Sequence, residues 1–159
     1  MEFKGIQRTQ SYTQINNGNI EQVFSLLCPV REKDWQDGWN YKMIYSKSGL
    51  IEKGCVFSTP NNGVLDTIWQ VTQYDNTNYR IEFLRLNPEE NVVKINIQLE
   101  KISEQLTKAV INYQYTGLNE EQNKFIETGL KKAFTNSMKW LDKALNHYLE
   151  TGKMLKKDK

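Results

Sequence analysis

The chain has 159 residues, a length that fits one domain with a core of its own. Its 21 Lys and Arg residues against 19 Asp and Glu give a formal net charge of +2, which argues against a nucleic-acid partner. Cys28 and Cys55 belong to no CxxC motif or Cys/His cluster and predict neither a disulfide nor a metal site. No run approaches about 18 apolar residues and MEFKGIQRTQ lacks a secretory h-region, so we expect a cytoplasmic protein without integral membrane association.

A strand and two short helices are predicted first. Residues 4–15 alternate loosely and are typical of a solvated edge strand. After the Asn-Asn-Gly turn, Asn19 is placed to cap a helix that we expect to end at Cys28. Pro29 then favours the start of a second helical turn over residues 30–35.

An aromatic segment, WQDGWNYKMIY, follows these helices. Its aromatic residues flank Asp37 and Gly38, a dipeptide that predicts a turn. Residues 41–45 and 55–59 then alternate, with breaks at 47–49 and 60–63. The two runs predict a hairpin.

Four longer strands are predicted at 65–74, 79–86, 92–102 and 106–117, at the spacing of an antiparallel meander. Apolar residues of one parity recur in each strand, whereas buried parallel strands give continuous apolar runs. The sequence therefore predicts an antiparallel sheet that is half-buried.

A single helix of about nine turns is predicted from the Asn119 cap onward. Its apolar stripe comprises Phe125, Ile126, Leu130, Phe134, Met138, Leu141, Leu145 and Leu149. Gly129 in its interior indicates a kink or a close approach to the sheet. The last residues, 153–159, contain four lysines, Lys153, Lys156, Lys157 and Lys159. They are expected to form a solvated, frayed tail.

Five phrases carry a resemblance to a known superfamily: VFSLLCPVREKDWQDGW (23–39), GCVFST (54–59), IWQVTQYD (68–75), IEFLRLNP (81–88) and YQYTGLNEE (113–121). With the order of elements, they resemble the helix-grip superfamily called START-like or SRPBCC, which includes Bet v 1-type proteins, polyketide cyclases and dehydrases, and Aha1-type proteins. The branch is not distinguished. The resemblance implies an α+β helix-grip fold over residues 1–152, in which about seven antiparallel strands curve around the C-terminal helix and enclose an apolar cavity.

Strand parity and the helix stripe predict the residues of this cavity. Arg85 shares the inward parity and is a candidate to hold a carboxylate or phosphate, although the nearby bend favours solvent or a neighbouring glutamate. Phe134 and Met138 are expected to contact a ligand more than Leu145 or Leu149, which are expected to seal the far end. The predicted pocket comprises Trp35, Trp39, Met43, Phe57, Thr59, Trp69, Phe83, Arg85, Ile97, Tyr113, Phe134 and Met138.

The sequence offers no catalytic constellation. His147 is the single histidine and is expected on the surface near a helix C-terminus. A Ser-His-Asp triad or a multi-histidine metal site is therefore not predicted, and no cofactor is expected.

Binding of a small hydrophobic or aromatic molecule, lipid-like or polyketide-like, is the favoured function, without catalysis. One alternative is a cyclase, dehydratase or hydrolase in which Arg85, Tyr113 and Tyr115 polarise a carbonyl, although no general base is evident. Another is a protein-interaction module, as the Aha1-type branch implies. The oligomeric state stays open.

Overall fold

The computed structural model describes residues 2–158. A first strand and two short helices are β1 (Gln7–Asn16), α1 (Ile20–Ser25) and α2 (Pro29–Trp35). Six strands follow as β2 (Lys42–Tyr45), β3 (Val56–Asn61), β4 (Val64–Asp75), β5 (Arg80–Asn87), β6 (Asn91–Ser103) and β7 (Leu106–Gly117). The chain continues as α3 (Glu120–Thr128) and α4 (Leu130–Thr151).

The strands form one antiparallel sheet in the order β1-β7-β6-β5-β4-β3-β2. This confirms the predicted meander and the edge position of the first strand. Irregularities interrupt the register between β2 and β3, β3 and β4, β4 and β5, and β6 and β7. Because a bulge bends its strand and increases the local twist, these breaks favour a curved sheet.

The pairing register confirms the predicted inward face. One row crosses the sheet from Trp69 to Arg85, Val93 and Tyr115. The next inward row of β5 and β6 contains Phe83 and Ile95, and both side chains are buried. Leu84, between the two rows, is 39% exposed on the opposite face. Alternate residues of each strand therefore supply the core, as a sheet with one solvated face requires.

The turn between α1 and α2 differs from the prediction. Asn19 caps α1 by accepting a hydrogen bond from the Gln22 backbone N–H at 2.8 Å. The helix ends at Ser25, before the predicted Cys28. Residues 26–28 instead donate to carbonyls three positions earlier, which winds a tighter turn. Pro29 then begins α2, as predicted.

The long closing helix is two helices. Gly129 interrupts the predicted nine turns with φ −123° and ψ −17°, so α3 and α4 are separate. Phe125, placed on the apolar stripe, is 36% exposed. An added Cβ at Gly129 would lie 3.2 Å from the Phe125 ring. At this break the chain passes from α3, which contacts β7, to α4, which contacts β1.

The C-terminal segment, residues 153–158, is not the frayed tail predicted. Gly152 has a φ of 72°, which lets the chain reverse at the end of α4. Leu155 then forms a parallel bridge with Gln36. The backbone N–H of Lys157 donates to Asp37 at 2.9 Å, and Lys156 pairs with Asp37 at 3.6 Å. These contacts order the segment. Lys159 lies outside the described residues.

None of the helices described between residues 2 and 158 has the length and apolar character needed to span a membrane.

Candidate ligand-binding site

An internal chamber of about 190 Å³ lies between the inward face of the sheet, α2 and α4. Nine of the twelve predicted pocket residues line it: Trp35, Trp39, Phe57, Trp69, Phe83, Arg85, Ile97, Tyr113 and Met138. The prediction did not include its other lining residues, Gln14, Leu27, Pro29, Glu32, Gln36, Ile95, Ile111, Leu141 and Leu145.

Aromatic rings form one continuous wall of the chamber. Phe57 stacks on Trp69 with ring centroids 5.4 Å apart. Trp39 meets the edge of that pair, 6.0 Å from Trp69, and Phe83 meets Trp69 at 5.9 Å. The indole N–H of Trp39 is satisfied by the Pro29 carbonyl at 2.9 Å. The wall therefore presents aromatic faces and edges, which favour planar ligands.

Three predicted pocket residues have other positions. Thr59 does not line the chamber, but its hydroxyl accepts a hydrogen bond from Trp69 Nε1 at 3.0 Å and so orients that ring. Met43 pairs with Phe57 from β2 and does not line the chamber either. Phe134 lines an adjoining cleft and packs 5.2 Å from the Tyr113 ring.

The adjoining cleft, called the outer cleft below, has a volume of about 710 Å³ and is more open to solvent. It shares five lining residues with the chamber: Gln36, Arg85, Tyr113, Met138 and Leu141. Its opposite side is formed by α3, α4 and the C-terminal segment, including Trp140, Lys157 and Asp158. The two spaces therefore meet at Arg85 and Tyr113.

Arg85 points inward, so the preferred prediction of a solvent-facing side chain is wrong. Its Nη2 donates to the Tyr115 hydroxyl at 3.1 Å. The guanidinium carbon lies 5.3 Å from the Trp69 ring, 5.5 Å from Tyr113 and 5.8 Å from Tyr115. These rings stabilise the cation by cation–π attraction. Within residues 2–158, no carboxylate forms an ion pair with it.

Glu32 is the functional candidate that the sequence reasoning missed. It projects from α2 into the chamber, where burial raises the pKa of its carboxyl from 4.5 to about 8. The side chain is therefore neutral at pH 7 and can donate a hydrogen bond. Its spacing was the available signal, since Glu32 lies three residues from both Pro29 and Trp35, which are buried.

Tyr113 adds a second neutral donor to the chamber. Burial raises the pKa of its hydroxyl from 10.0 to about 12, against the opposing effect of the Arg85 charge. The phenol therefore keeps its proton at physiological pH. Arg85, Glu32 and Tyr113 give the chamber one cation and two protonated oxygen donors.

Leu145 was expected to seal the far end of the cavity, and it lies on the chamber wall. It lines the chamber with Met138 and Leu141, whereas Phe134 lies in the outer cleft. Leu149 packs beside Gly18, away from the chamber.

In the part of the chain that the structure covers, no three His, Cys, Asp or Glu side chains lie close enough together to hold a metal ion. His147 is half-buried near the end of α4, where its carbonyl accepts a bond from Thr151 at 2.7 Å. It does not line the chamber or the outer cleft.

Comparisons with known proteins find similarity in structure. No model of a protein family matches the sequence, and no curated protein matches it. Norcoclaurine synthase from Thalictrum flavum superposes with a TM-score of 0.68 at 10% identity, over 92% of this chain and 88% of that one. A hypothetical protein from Helicobacter pylori gives 0.71 at 15% identity, over 89% and 87%.

The di-domain aromatase/cyclase BexL also superposes, with a TM-score of 0.67 at 13% identity. The match covers 90% of this chain and 46% of BexL. Identities this low show the fold alone. The chain has the Bet v 1-like, or START-like, helix-grip fold that its sequence predicts.

Proposed function

We propose that this protein binds a small hydrophobic or aromatic molecule in the chamber between the sheet and α4. The observation that carries the proposal is the aromatic chamber itself, closed by side chains from the sheet and two helices. A dry apolar cavity of about 150 Å³ is enough to hold benzene. A chamber of about 190 Å³ therefore suits one compact ring system, and the outer cleft offers room for a longer substituent.

The structural neighbours support a ligand of this size. One structure of norcoclaurine synthase is a complex with dopamine and hydroxybenzaldehyde, which are both single-ring compounds. The inner chamber here is too small for a whole sterol, so a polyketide-like or lipid-like ligand would extend into the outer cleft.

The test combines native mass spectrometry of freshly purified protein with titration of prodan, a neutral naphthalene dye. We expect a retained small molecule, or saturable dye binding that the Ile97→Phe variant weakens at least tenfold by filling the chamber. Leu84→Phe is the matched control, since Leu84 lies on the opposite face of the sheet. No retained molecule together with no saturable binding would contradict the proposal.

Catalysis on a polyketide-like substrate is the second candidate, favoured by Glu32. A carboxyl whose pKa is about 8 suits proton transfer near neutral pH. Arg85 and Tyr113 line the same chamber and are placed to polarise a carbonyl oxygen. Glu32 is the acid–base group that the sequence alone did not reveal. Together with Arg85 and Tyr113 it suits a cyclisation, dehydration or hydrolysis.

Turnover of an aromatic β-ketothioester tests this candidate. We expect Glu32→Gln to lower kcat by about 10²-fold, and the wild-type rate to fall as pH rises through about 8, where Glu32 loses its proton. Glu21→Gln, on the exposed side of α1, is the matched control. Equal rates for Glu32→Gln and wild type would remove Glu32 from the chemistry.

A further inference from the structure

The charge of the site is unbalanced. Arg85 is a largely enclosed cation that no carboxylate in the described chain neutralises. Removing a cation from water without a counter-charge is costly. The surrounding aromatic rings and the Tyr115 hydroxyl compensate part of this cost, but they carry no negative charge.

Buried hydrogen-bond donors without a partner also indicate that an acceptor is missing from this region. Among the residues that the structure describes, two buried side-chain polar atoms lack a hydrogen-bond partner, Arg85 Nε and Trp140 Nε1. Both are donors, and both residues line the outer cleft. Lys157 and Asp158 also line this cleft and have opposite charges; the Lys157 ammonium lies 5.8 Å from the Trp140 ring. The unmet requirement of this region is therefore for acceptors.

The other titratable groups around the chamber supply no negative charge at neutral pH. Glu32 faces it from α2 and Tyr113 from β7, and burial keeps both protonated at neutral pH. The side chains that α4 contributes are apolar: Met138, Leu141 and Leu145. Gln14 of β1 and Gln36, directly after α2, are uncharged amides. At neutral pH the chamber thus holds one positive charge and no negative one.

We propose that the ligand is a compact aromatic anion, with its ring in the chamber and its acidic group paired with Arg85 at the junction with the outer cleft. This inference rests on the proposed binding function and specifies its ligand class. A carboxylate is the simplest such group, because its two oxygens match the fork of a guanidinium. The Tyr113 hydroxyl and the Glu32 carboxyl face the same volume as neutral donors, which do not repel an anion.

Calorimetric titration with cinnamate and cinnamamide tests the inference. The two probes share a ring and a length, and they differ in the charge of the terminal group. We expect the wild-type protein to bind cinnamate at least about tenfold more tightly than cinnamamide. Arg85→Gln should abolish this preference, whereas Arg85→Lys should retain part of it. Arg80→Gln is the control, because Arg80 lies on the same strand but is exposed and bonded to Asn96.

Each outcome has one meaning. Equal binding of acid and amide by wild type, or an acid preference that persists in Arg85→Gln, would overturn the inference while leaving the binding function intact. Binding of neither probe, with no retained molecule in native mass spectra and no prodan binding, would overturn both. Should Arg85→Gln not fold, the weaker preference expected of Arg85→Lys decides the matter by itself.

A second measurement uses the pH dependence of cinnamate affinity. Cinnamate stays ionised between about pH 6.5 and about pH 9.5, so a change in affinity reflects the protein. We expect affinity to fall as Glu32 ionises, and to stay nearly constant in Glu32→Gln. A wild-type profile as flat as that of Glu32→Gln would contradict an acidic group seated in the chamber beside Glu32.

Discussion

Replacing Glu32 by Gln should change how stability depends on pH. The pKa of Glu32 is raised by burial from 4.5 to about 8, so between these values the folded protein keeps a proton that the unfolded chain has lost. Unfolding then releases that proton, and the free energy of unfolding falls as pH rises. Below pH 4.5 both states are protonated, and above about pH 8 both are ionised, so the effect is confined to this window.

The expected size follows from the same shift. One proton released on unfolding gives a slope of about 1.4 kcal/mol per pH unit. Over the whole window the ceiling is about 5 kcal/mol. Between about pH 5.5 and about pH 8.5, the rise of the pKa from 4.5 to about 8 accounts for about 3 kcal/mol of this ceiling.

Urea unfolding at about pH 5.5 and about pH 8.5 measures the effect. Wild type should lose about 3 kcal/mol more than Glu32→Gln between these values, since the amide cannot ionise. Groups such as Asp37 and Asp142, whose pKa values are also shifted, are present in both proteins and cancel in the difference. Glu21→Gln should behave as wild type. Identical pH profiles for Glu32→Gln and wild type would refute the argument that Glu32 is held neutral.

Four further changes test the packing of the protein. Phe134→Ala should lower the free energy of unfolding by about 3–5 kcal/mol, because the ring is 4% exposed and packs on Tyr113; urea titration measures this, and a loss below about 1 kcal/mol would contradict tight packing. Gly117→Ala should cost about 2 kcal/mol, since its methyl group would collide with the Asn123 oxygen that accepts from Ile6 N–H. Gly129→Ala, whose methyl group lies nearest to the exposed Phe125 ring, at 3.2 Å, should instead raise the free energy of unfolding by about 0.5 kcal/mol; urea titration of both glycine variants measures this, and a larger loss for Gly129→Ala than for Gly117→Ala would refute the comparison. Asp37→Asn should speed hydrogen exchange at the backbone amides of residues 155–157 without changing exchange in β5 and β6, because it removes the ion pair with Lys156 and weakens the bond to Lys157; unchanged exchange would show that Leu155 alone holds the segment.

Strand parity made most of the chamber predictable from the sequence. Trp69, Phe83 and Tyr113 share the parity of the other inward residues of their strands, and a period of two needs no knowledge of distant contacts. Arg85 obeyed the same parity, but the bend after it suggested a path to solvent. Its inward position depends on Trp69, Tyr113 and Tyr115, which lie on other strands.

The parts that were not predicted depend on tertiary contacts. Glu32 was not among the predicted site residues, because only the packing of α2 against the sheet and α4 encloses it. The basic residues after Gly152 appeared to be a tail, because nothing near them in sequence announces the partner Asp37. The helical period put Phe134 and Leu145 on one stripe, but it did not show that Leu145 lines the chamber and Phe134 the outer cleft.

All four tryptophans of the chain line the chamber or the outer cleft. Trp35, Trp39 and Trp69 line the chamber, and Trp140 lines the outer cleft. Indole emission depends on the polarity and the quenchers around each ring, so all the tryptophan fluorescence of the folded protein originates where a ligand would lie. The protein therefore carries an intrinsic optical reporter of occupancy that needs no label. A single-tryptophan series that retains Trp69 or Trp140 would separate signals from the two spaces.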